Sequence, residues 1–218
     1  MLTSPKTLIV FSSDALVGPL GGQGDFQWQL PVENIRMNDL NGTSGKELIK
    51  LLPHLPRLSK LEIEYIENIV GVDLQQTTSA ISFFRQLFPS SLQFLGLRSV
   101  EGMGTLEPLS NLSSLTILEL NYCGHDLKCQ GLRSLLTSGG QLNKLKVFGS
   151  PRFFVGWDPN PRRALEDVEG EEQQTQLVSS TLQELETDDI AGLLAAPVCR
   201  FLSSSLTKLE LHGRFSKG

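Results

Sequence analysis

Three residues near the middle of the chain carry side chains that commonly bind zinc. Cys123, His125 and Cys129 supply two thiols and an imidazole. Their spacing fits none of the usual zinc motifs, in which paired ligands stand about two to four residues apart. We therefore interpret the cysteines as ordinary thiols and predict neither a metal site nor a cofactor. The odd total of three cysteines, without a CxxC pair, indicates a reducing compartment.

A glycine–lysine pair at Gly45 and Lys46 is the nearest approach to a phosphate-binding loop. Such a loop requires a serine or threonine after the lysine and a glycine five residues before the second glycine. Here Glu47 follows Lys46, and Leu40 occupies the earlier position. The three histidines are scattered along the chain, and no GxSxG or HExxH motif accompanies them. The sequence therefore predicts a protein that is not an enzyme.

The charge of the chain also excludes some kinds of partner. A net charge of −5 argues against a nucleic-acid or anionic-membrane surface. No stretch approaches the roughly 18 apolar residues that span a bilayer. The apolar run at residues 8–11 is interrupted by polar residues 12–14, so we predict no signal peptide and a cytoplasmic location.

The elements that position the remaining side chains follow a repeated leucine pattern. Its clearest copy places leucines at 115, 118 and 120 before Cys123, which is the LxxLxLxx(N/C) signature of leucine-rich repeats. Leu118 and Leu120 share one face of an extended strand, while Ile117 and Glu119 point the other way. One strand cannot bury its leucines alone, whereas a stack of parallel strands can.

The same template recurs along most of the chain. The other copies are Val32-Ile35-Met37, Leu58-Leu61-Ile63, Leu92-Leu95-Leu97, Leu142-Leu145-Val147, Leu182-Leu185-Thr187 and Leu206-Leu209-Leu211. Their unequal spacing predicts an α/β leucine-rich-repeat solenoid, a horseshoe of about seven irregular repeats over residues 29–218 with a parallel concave sheet. Residues 1–28 form a poorly defined N-terminal segment or a partial repeat. Thr187 departs from the pattern.

Helices and loops are expected on the convex side. Apolar spacing predicts helices over residues 44–52, 79–88 and 131–138, and a helix broken at Pro197 over residues 190–202. Six acidic residues between Asp158 and Glu172 indicate a solvated, mobile insertion at residues 158–176. Just before it, Phe153, Phe154 and Trp157 either plug the edge of the core or contact a partner.

The strand faces that point away from the leucines form the candidate binding surface. Phe94, Ile117 and Phe148 are apolar where a polar residue would favour solubility, and with Lys144 and Lys146 they form the predicted contact centre. The template also turns Asn38, Asn121, Asp188 and His212 outward. The predicted partner-binding residues are Arg36, Lys60, Glu62, Phe94, Arg98, Ile117, Glu119, Lys144, Lys146, Phe148, Glu186 and Glu210.

Short sequence motifs within the repeats resemble those of one particular family. Serine pairs precede the first leucine at Ser90-Ser91-Leu92, Ser113-Ser114-Leu115 and Ser204-Ser205-Leu206. With the irregular repeat lengths, they resemble the C-terminal leucine-rich-repeat region of plant intracellular immune receptors of the nucleotide-binding type, abundant in grasses. The resemblance covers roughly residues 28–218. The nucleotide-binding module of that family has no counterpart in this sequence, so nucleotide binding and signalling are not carried over.

The resemblance implies a recognition module in plant defence. Its partner would be a protein: a pathogen effector, a guarded host protein or the nucleotide-binding module of a receptor. The chain would then be a fragment, a truncated product or a sensor part acting alone. The alternative is a leucine-rich-repeat substrate-recognition subunit of a ubiquitin ligase, which requires an F-box that residues 1–28 do not resemble. A secreted ectodomain would require regular repeats, a signal peptide and paired cysteines.

Overall fold

The computed structural model describes residues 6–10, 32–38, 52, 55–66, 88–100, 104–124, 127–136, 140–154, 181–194, 202 and 205–213. Within these residues, eight strands form one sheet in which every strand pairs in parallel with the next along the chain. The chain is therefore a solenoid with a parallel sheet. The strands are β1 Thr7–Val10, β2 Asn34–Asn38, β3 Lys60–Ile66, β4 Phe94–Val100, β5 Ile117–Asn121, β6 Lys144–Phe148, β7 Glu184–Thr187 and β8 Lys208–Leu211.

The core is a column of leucines stacked from strand to strand. Leu95 pairs in register with Leu118, and Leu118 with Leu145, and all three are fully buried. Each fully buried leucine contributes about 1.5–3 kcal/mol, so the stack is the main stabilising element. The seven predicted strand positions coincide with β2 to β8. This coincidence confirms the predicted strand positions. The prediction succeeds because side chains alternate between the two faces of a strand, so a period of two in the sequence identifies the buried face.

Hydroxyl groups join successive coils just before the strands. The Oγ–H of Ser91 donates to the carbonyl of Leu58 at 2.8 Å, and that of Ser205 to the carbonyl of Leu182 at 2.7 Å. Thr116 makes an equivalent bond to Gln93 at 3.0 Å. Each bond links two successive coils at a place where the chain turns into a strand, and the one from Thr116 adds to two backbone N–H bonds that the Gln93 carbonyl already accepts. Serine and threonine beside the first leucine of these copies therefore have a structural role.

Few helices connect the strands in the described residues. Those with defined bounds are a three-residue 3-10 helix, Glu107–Leu109, and two α-helices of five residues each, α1 Leu132–Leu136 and α2 Ile190–Leu194, and residues 52 and 202 are also helical. The predicted α/β architecture with helices between seven repeats is not what these residues show. Instead, leucines three apart are joined by N–H to carbonyl bonds of the i→i+3 type, running from Leu106 through Leu109 and Leu112 to Leu115. A 3-10 helix has three residues per turn, so leucines three apart lie on the same side of these turns.

The individual helix predictions have mixed outcomes. The helix predicted over 131–138 is present as α1, and the first half of the one predicted over 190–202 is present as α2. The helices predicted over 44–52 and 79–88, and the break at Pro197, lie almost wholly outside the described residues. The acidic insertion at 158–176 and Trp157 also lie outside them.

The two phenylalanines before that insertion belong to the core. Phe153 and Phe154 are buried and pack edge to face, with ring centroids 4.9 Å apart. Asp189 holds this segment in place. Its Oδ2 accepts the Phe154 N–H at 3.0 Å, and its Oδ1 accepts the Gly192 N–H at 3.1 Å at the start of α2. Of the two interpretations of these aromatics, the core plug is confirmed for Phe153 and Phe154.

The two ends of the sheet differ from its middle. Residues 7–10 form β1, which extends the sheet beyond the predicted repeats by pairing with β2. In β8 the core-side residues Leu209 and Leu211 are 47% and 42% exposed, because they lie at the edge of the sheet.

No helix of the described part is long and apolar enough to cross a membrane.

Candidate binding face

The face of the sheet opposite the leucine core, here called the outer face, presents its side chains in three rows. Parallel strands in register place equivalent residues about 4.8 Å apart, so each row crosses β2 to β8. The first row is Asn34, Lys60, Phe94, Ile117, Lys144, Glu184 and Lys208. The second is Arg36, Glu62, Gly96, Glu119, Lys146, Glu186 and Glu210. The third is Asn38, Glu64, Arg98, Asn121 and Phe148, continued by Asp188 and His212, which directly follow β7 and β8.

All twelve residues predicted to bind a partner lie in these rows. Their placement follows from the strand register, while their role in binding stays a prediction. The predicted contact centre is divided by the structure. Phe94, Ile117 and Lys144 are neighbours in the first row, whereas Phe148 lies in the third row, on the other side of Lys146.

Charges on β2 to β4 form one linked cluster. Arg36 lies 3.7 Å from Glu62 and 3.6 Å from Glu64, and Arg98 lies 3.3 Å from Glu64. Lys60 contacts Glu62 at 2.8 Å, and its ammonium lies 4.6 Å from the centre of the Phe94 ring. Exposed pairs of this kind contribute little to stability, since water and salt screen them. Their consequence is an ordered pattern of charge on the surface.

A second cluster covers β5 to β7. Lys146 bridges Glu119 at 3.5 Å and Glu186 at 3.2 Å, and Lys144 lies 2.7 Å from Glu184 and 3.7 Å from Glu186. Glu186 is the most enclosed acid of the outer face that the structure describes, only 8% exposed, with both ammonium groups beside it. The hydrogen bond between Lys144 and Glu184 raises the pKa of the lysine and lowers the pKa of the glutamate.

The last strand repeats this arrangement at the edge. Lys208 contacts Glu210 at 2.8 Å, and this hydrogen bond raises the pKa of Lys208 and lowers that of Glu210. His212 Nε2 lies 3.7 Å from Glu210, and the imidazole packs edge to face on Phe148 with centroids 5.1 Å apart. The aromatic pair joins the ends of β6 and β8 across Asp188.

The third row borders two adjoining cavities at the carboxyl ends of the strands. The larger cavity is about 650 Å³ and is lined by Arg98, Asn121, Tyr122, Phe148, Asp188, Leu211, His212 and Gly213. The smaller is about 180 Å³ and includes Asn38, Glu64, Arg98 and Asn121 in its lining. Because Arg98 and Asn121 line both, the two cavities form one groove along the third row.

Two buried acceptors in this groove lack a partner among the described residues. Asp188 Oδ2 accepts the Gly149 N–H at 2.9 Å, but its Oδ1 is buried without a hydrogen bond. Asn38 Oδ1, at the other end of the groove, is also buried and unpaired. A buried acceptor without a donor costs about 1–3 kcal/mol. Because both atoms are shielded from solvent, a ligand could donate a hydrogen bond to them only after neighbouring side chains move aside.

The wall of the larger cavity contains strained backbone. Tyr122 has a φ of 57°, a conformation that side-chain-bearing residues rarely adopt, and its N–H donates to the Phe148 carbonyl at 2.7 Å. Gly149 has a φ of 66°, and a Cβ there would overlap the Tyr122 ring. Strain of this kind is frequent at functional sites. Sequence reasoning missed Tyr122, because a positive φ at a tyrosine has no sequence signal.

The cysteines and the possible metal ligands have ordinary structural explanations. Cys123 is buried with Sγ 3.4 Å from the Leu97 carbonyl, and burial raises the pKa of its thiol to about 11. Burial also raises the pKa of Cys129 to about 12. Both thiols therefore stay protonated at neutral pH and are poor nucleophiles. His125, the third member of the predicted group, lies outside the described residues.

One other group brings metal-type ligand atoms together. Atoms of Glu186, Glu210 and His212 lie within 4.8 Å of one another. Lysines already contact both carboxylates, since Lys146 lies 3.2 Å from Glu186 and Lys208 lies 2.8 Å from Glu210. A metal ion would have to displace these ammonium groups, so the arrangement fits an ion-pair network better than a metal centre.

Comparisons with known proteins add no family to this picture. A scan against protein-family models finds no match to the sequence, and a search of curated proteins finds no significant match either. The class defined by the fold is a parallel-sheet solenoid with a groove along its outer face.

Proposed function

We propose that this chain is a protein-recognition module, a leucine-rich-repeat horseshoe of about seven irregular repeats whose outer face is the concave surface. The observation that carries the proposal is the division of each strand between its two faces. Core-side positions of the inner strands are buried and, apart from Thr187, apolar, whereas the outer face carries mostly charged, polar and aromatic residues in rows from β2 to β8. Parallel stacking makes such rows a continuous surface wide enough for a protein.

The serine and threonine bonds support the assignment to leucine-rich repeats. They give a structural reason for Ser91 and Ser205, which belong to two of the three Ser-Ser-Leu motifs that carry the resemblance to plant intracellular immune receptors. We propose on this basis that the module acts in plant defence, in the cytoplasm. Its partner would be a pathogen effector, a guarded host protein or the nucleotide-binding module of a receptor.

Proximity labelling in plant tissue tests this function. The chain would be fused to a biotin ligase and expressed as wild type, as the outer-face variant Lys144→Glu/Lys146→Glu, and as the control Arg57→Glu. Arg57 is exposed in the turn before β3, so its reversal changes the net charge without touching the outer face. Circular dichroism would establish that all three fold.

We expect the wild type and the control to label the same defence-related proteins, and the double variant to lose them. Identical labelling by all three would contradict binding through the outer face. Enrichment of ubiquitin-ligase subunits by the wild type, with no defence-related protein, would contradict the immune role.

A further inference from the structure

We propose that the groove along the third row binds an extended peptide segment of the partner, and that Asp188 receives a lysine or arginine side chain of that segment. This inference rests on the proposed function and deepens it by naming the chemistry of recognition. The residue that carries it is Asp188, in which one carboxylate oxygen accepts a hydrogen bond from the chain and the other has no partner.

The geometry of Asp188 favours a donor from outside the chain. The Gly149 N–H fixes Oδ2 at 2.9 Å, so the carboxylate cannot rotate freely. Asp188 lines the larger cavity, but its unpaired Oδ1 is buried, so a donor in the cavity reaches this oxygen only when neighbouring side chains move aside. An ionised carboxylate only accepts hydrogen bonds. Ammonium and guanidinium groups are the strongest donors to it, because the charge on both partners shortens and strengthens the bond.

The walls of the cavity suit the rest of such a side chain. Phe148 and Tyr122 contribute aromatic rings and Leu211 an aliphatic surface. Aromatic faces attract cations, and the methylene stem of lysine or arginine packs on apolar walls. A cavity of about 650 Å³ lies within the roughly 300–1,000 Å³ range of typical ligand pockets. It therefore accommodates a long side chain and part of the adjoining backbone.

Arg98 provides the second point of recognition. It lines both cavities, is exposed, and uses Nη1 for Glu64 at 3.3 Å. A guanidinium carries five N–H donors, so Arg98 retains donors for a carboxylate of the partner. The charges around Arg98 and Asp188 favour the same two kinds of partner group, an acidic one at Arg98 and a basic one at Asp188. On β2 to β4 three basic residues of the outer face stand against two acids, whereas β6 to β8 with Asp188 carry four acids against three lysines.

The spacing of the two points predicts the spacing of the partner's charges. Arg98 lies in β4 and Asp188 follows β7, three strand steps apart, which is about 14 Å at about 4.8 Å per step. An extended peptide covers about 3.4 Å per residue, so the acidic and basic residues of the segment stand about four positions apart. The orientation places the basic residue toward β8.

A library of random decapeptides displayed on phage, selected on the full chain, tests the inference. We expect the bound peptides to share a lysine or arginine, with an acidic residue about four positions away. Selected peptides would be synthesised with a fluorescent label, and their affinity measured by fluorescence polarisation. Replacing the shared lysine with norleucine should weaken binding at least tenfold, because the stem remains and only the charge is lost.

The decisive variant is Asp188→Asn. Asparagine keeps an oxygen for the Gly149 N–H and places an NH₂ group where the unpaired oxygen lies, so the fold is retained while the acceptor becomes a donor. We expect at least tenfold weaker binding of the lysine peptide and less than twofold further loss with norleucine. Phe148→Leu should weaken the lysine peptide several-fold, and the control Glu107→Gln, at an exposed carboxylate off the sheet, less than twofold.

The outcomes separate this inference from the function beneath it. Peptides that lose binding to Lys144→Glu/Lys146→Glu but bind Asp188→Asn as tightly as wild type would overturn the inference and leave the outer face as the recognition surface. Selected peptides without a basic residue would also overturn it. If no peptide is selected, the inference fails and the outer face is left as a surface for a folded protein. If peptides are selected but are insensitive to every outer-face variant, the proposed recognition by this face fails as well.

Discussion

On the inner face of the sheet, Leu95, Leu118 and Leu145 are chemically identical and fully buried. On the outer face of the same three strands, the residues next to them are Gly96, Glu119 and Lys146, which share neither size nor charge. The backbone and its register are the same for both sets. The contrast shows that packing constrains one face to buried, mostly apolar residues, while the residues of the other face vary in size and charge, as the proposed recognition surface requires.

The sharpest test of this contrast is to truncate neighbouring residues on opposite faces. Leu118→Ala removes a fully buried side chain from the middle of the stack and is expected to lower the free energy of unfolding by about 3–5 kcal/mol, through lost burial and the cavity left behind. Ile117→Ala, one residue away on the outer face, should cost about 1 kcal/mol or less, because that side chain is only half buried. Urea denaturation measures both. Equal losses would break the distinction between the faces.

The second test lies where the outer face meets its groove. Gly149→Ala places a Cβ against the Tyr122 ring at a φ of 66°. We expect a loss of about 1–3 kcal/mol, from strain in the backbone or displacement of the ring. Gly96→Ala is the matched control in a strand, where the added Cβ would meet the movable Phe94 ring at 3.2 Å. Its effect should stay within about 1 kcal/mol. A harmless Gly149→Ala would show that the groove wall is not constrained as described.

The two faces also differ in how far sequence reasoning reaches. The strand positions could be predicted because the LxxLxL pattern is local, and Leu61, Leu97 and Leu185 are buried where the template places them. Thr187 departs from the pattern yet lies in β7, fully buried, where its Oγ1 accepts the Asp189 N–H at 3.0 Å. The hydrogen bond of the buried Thr187 hydroxyl depends on the turn after β7, and a template of apolar residues does not represent that turn.

The outer face could be predicted only as a set of residues that point outward. Which of them pair depends on side-chain reach between strands, so the link from Lys146 to both Glu119 and Glu186 had no sequence signal. The unpaired oxygen of Asp188 depends on the backbone at Gly149, 39 residues away. The 3-10 turns from Leu106 to Leu115 also had no sequence signal, because leucine spacing alone does not distinguish α-helical from 3-10 turns where tertiary packing decides.

A smaller effect is expected from the hydroxyl bonds that join successive coils. Ser205→Ala removes the bond to the Leu182 carbonyl and should lower the free energy of unfolding by about 1 kcal/mol. Ser91→Ala, which loses the bond to Leu58, should behave alike. Ser113 is exposed in the turn before β5, so Ser113→Ala should change stability by less than about 0.5 kcal/mol. Urea denaturation measures all three variants. Loss of stability in Ser205→Ala and Ser91→Ala, but not in Ser113→Ala, would show that the hydroxyl bonds between coils stabilise the solenoid.

The smallest effect concerns pH and belongs to the outer face alone. The hydrogen bond from Lys144 holds the pKa of Glu184 below its usual value, so the folded state binds this proton less readily than the unfolded state. The resulting stabilisation is present above the ordinary glutamate pKa of about 4.5 and is lost as pH falls through the folded value. Lys144 behaves in the opposite sense. Its raised pKa contributes below its ordinary value of 10.5 and is lost at higher pH. Urea midpoints measured from pH 3 to pH 7 should therefore fall slightly less steeply at low pH in Glu184→Gln than in wild type, whereas Glu107→Gln follows wild type. A steep loss of stability in Glu184→Gln at neutral pH would mean that the outer-face network, and not only the leucine stack, holds the solenoid together.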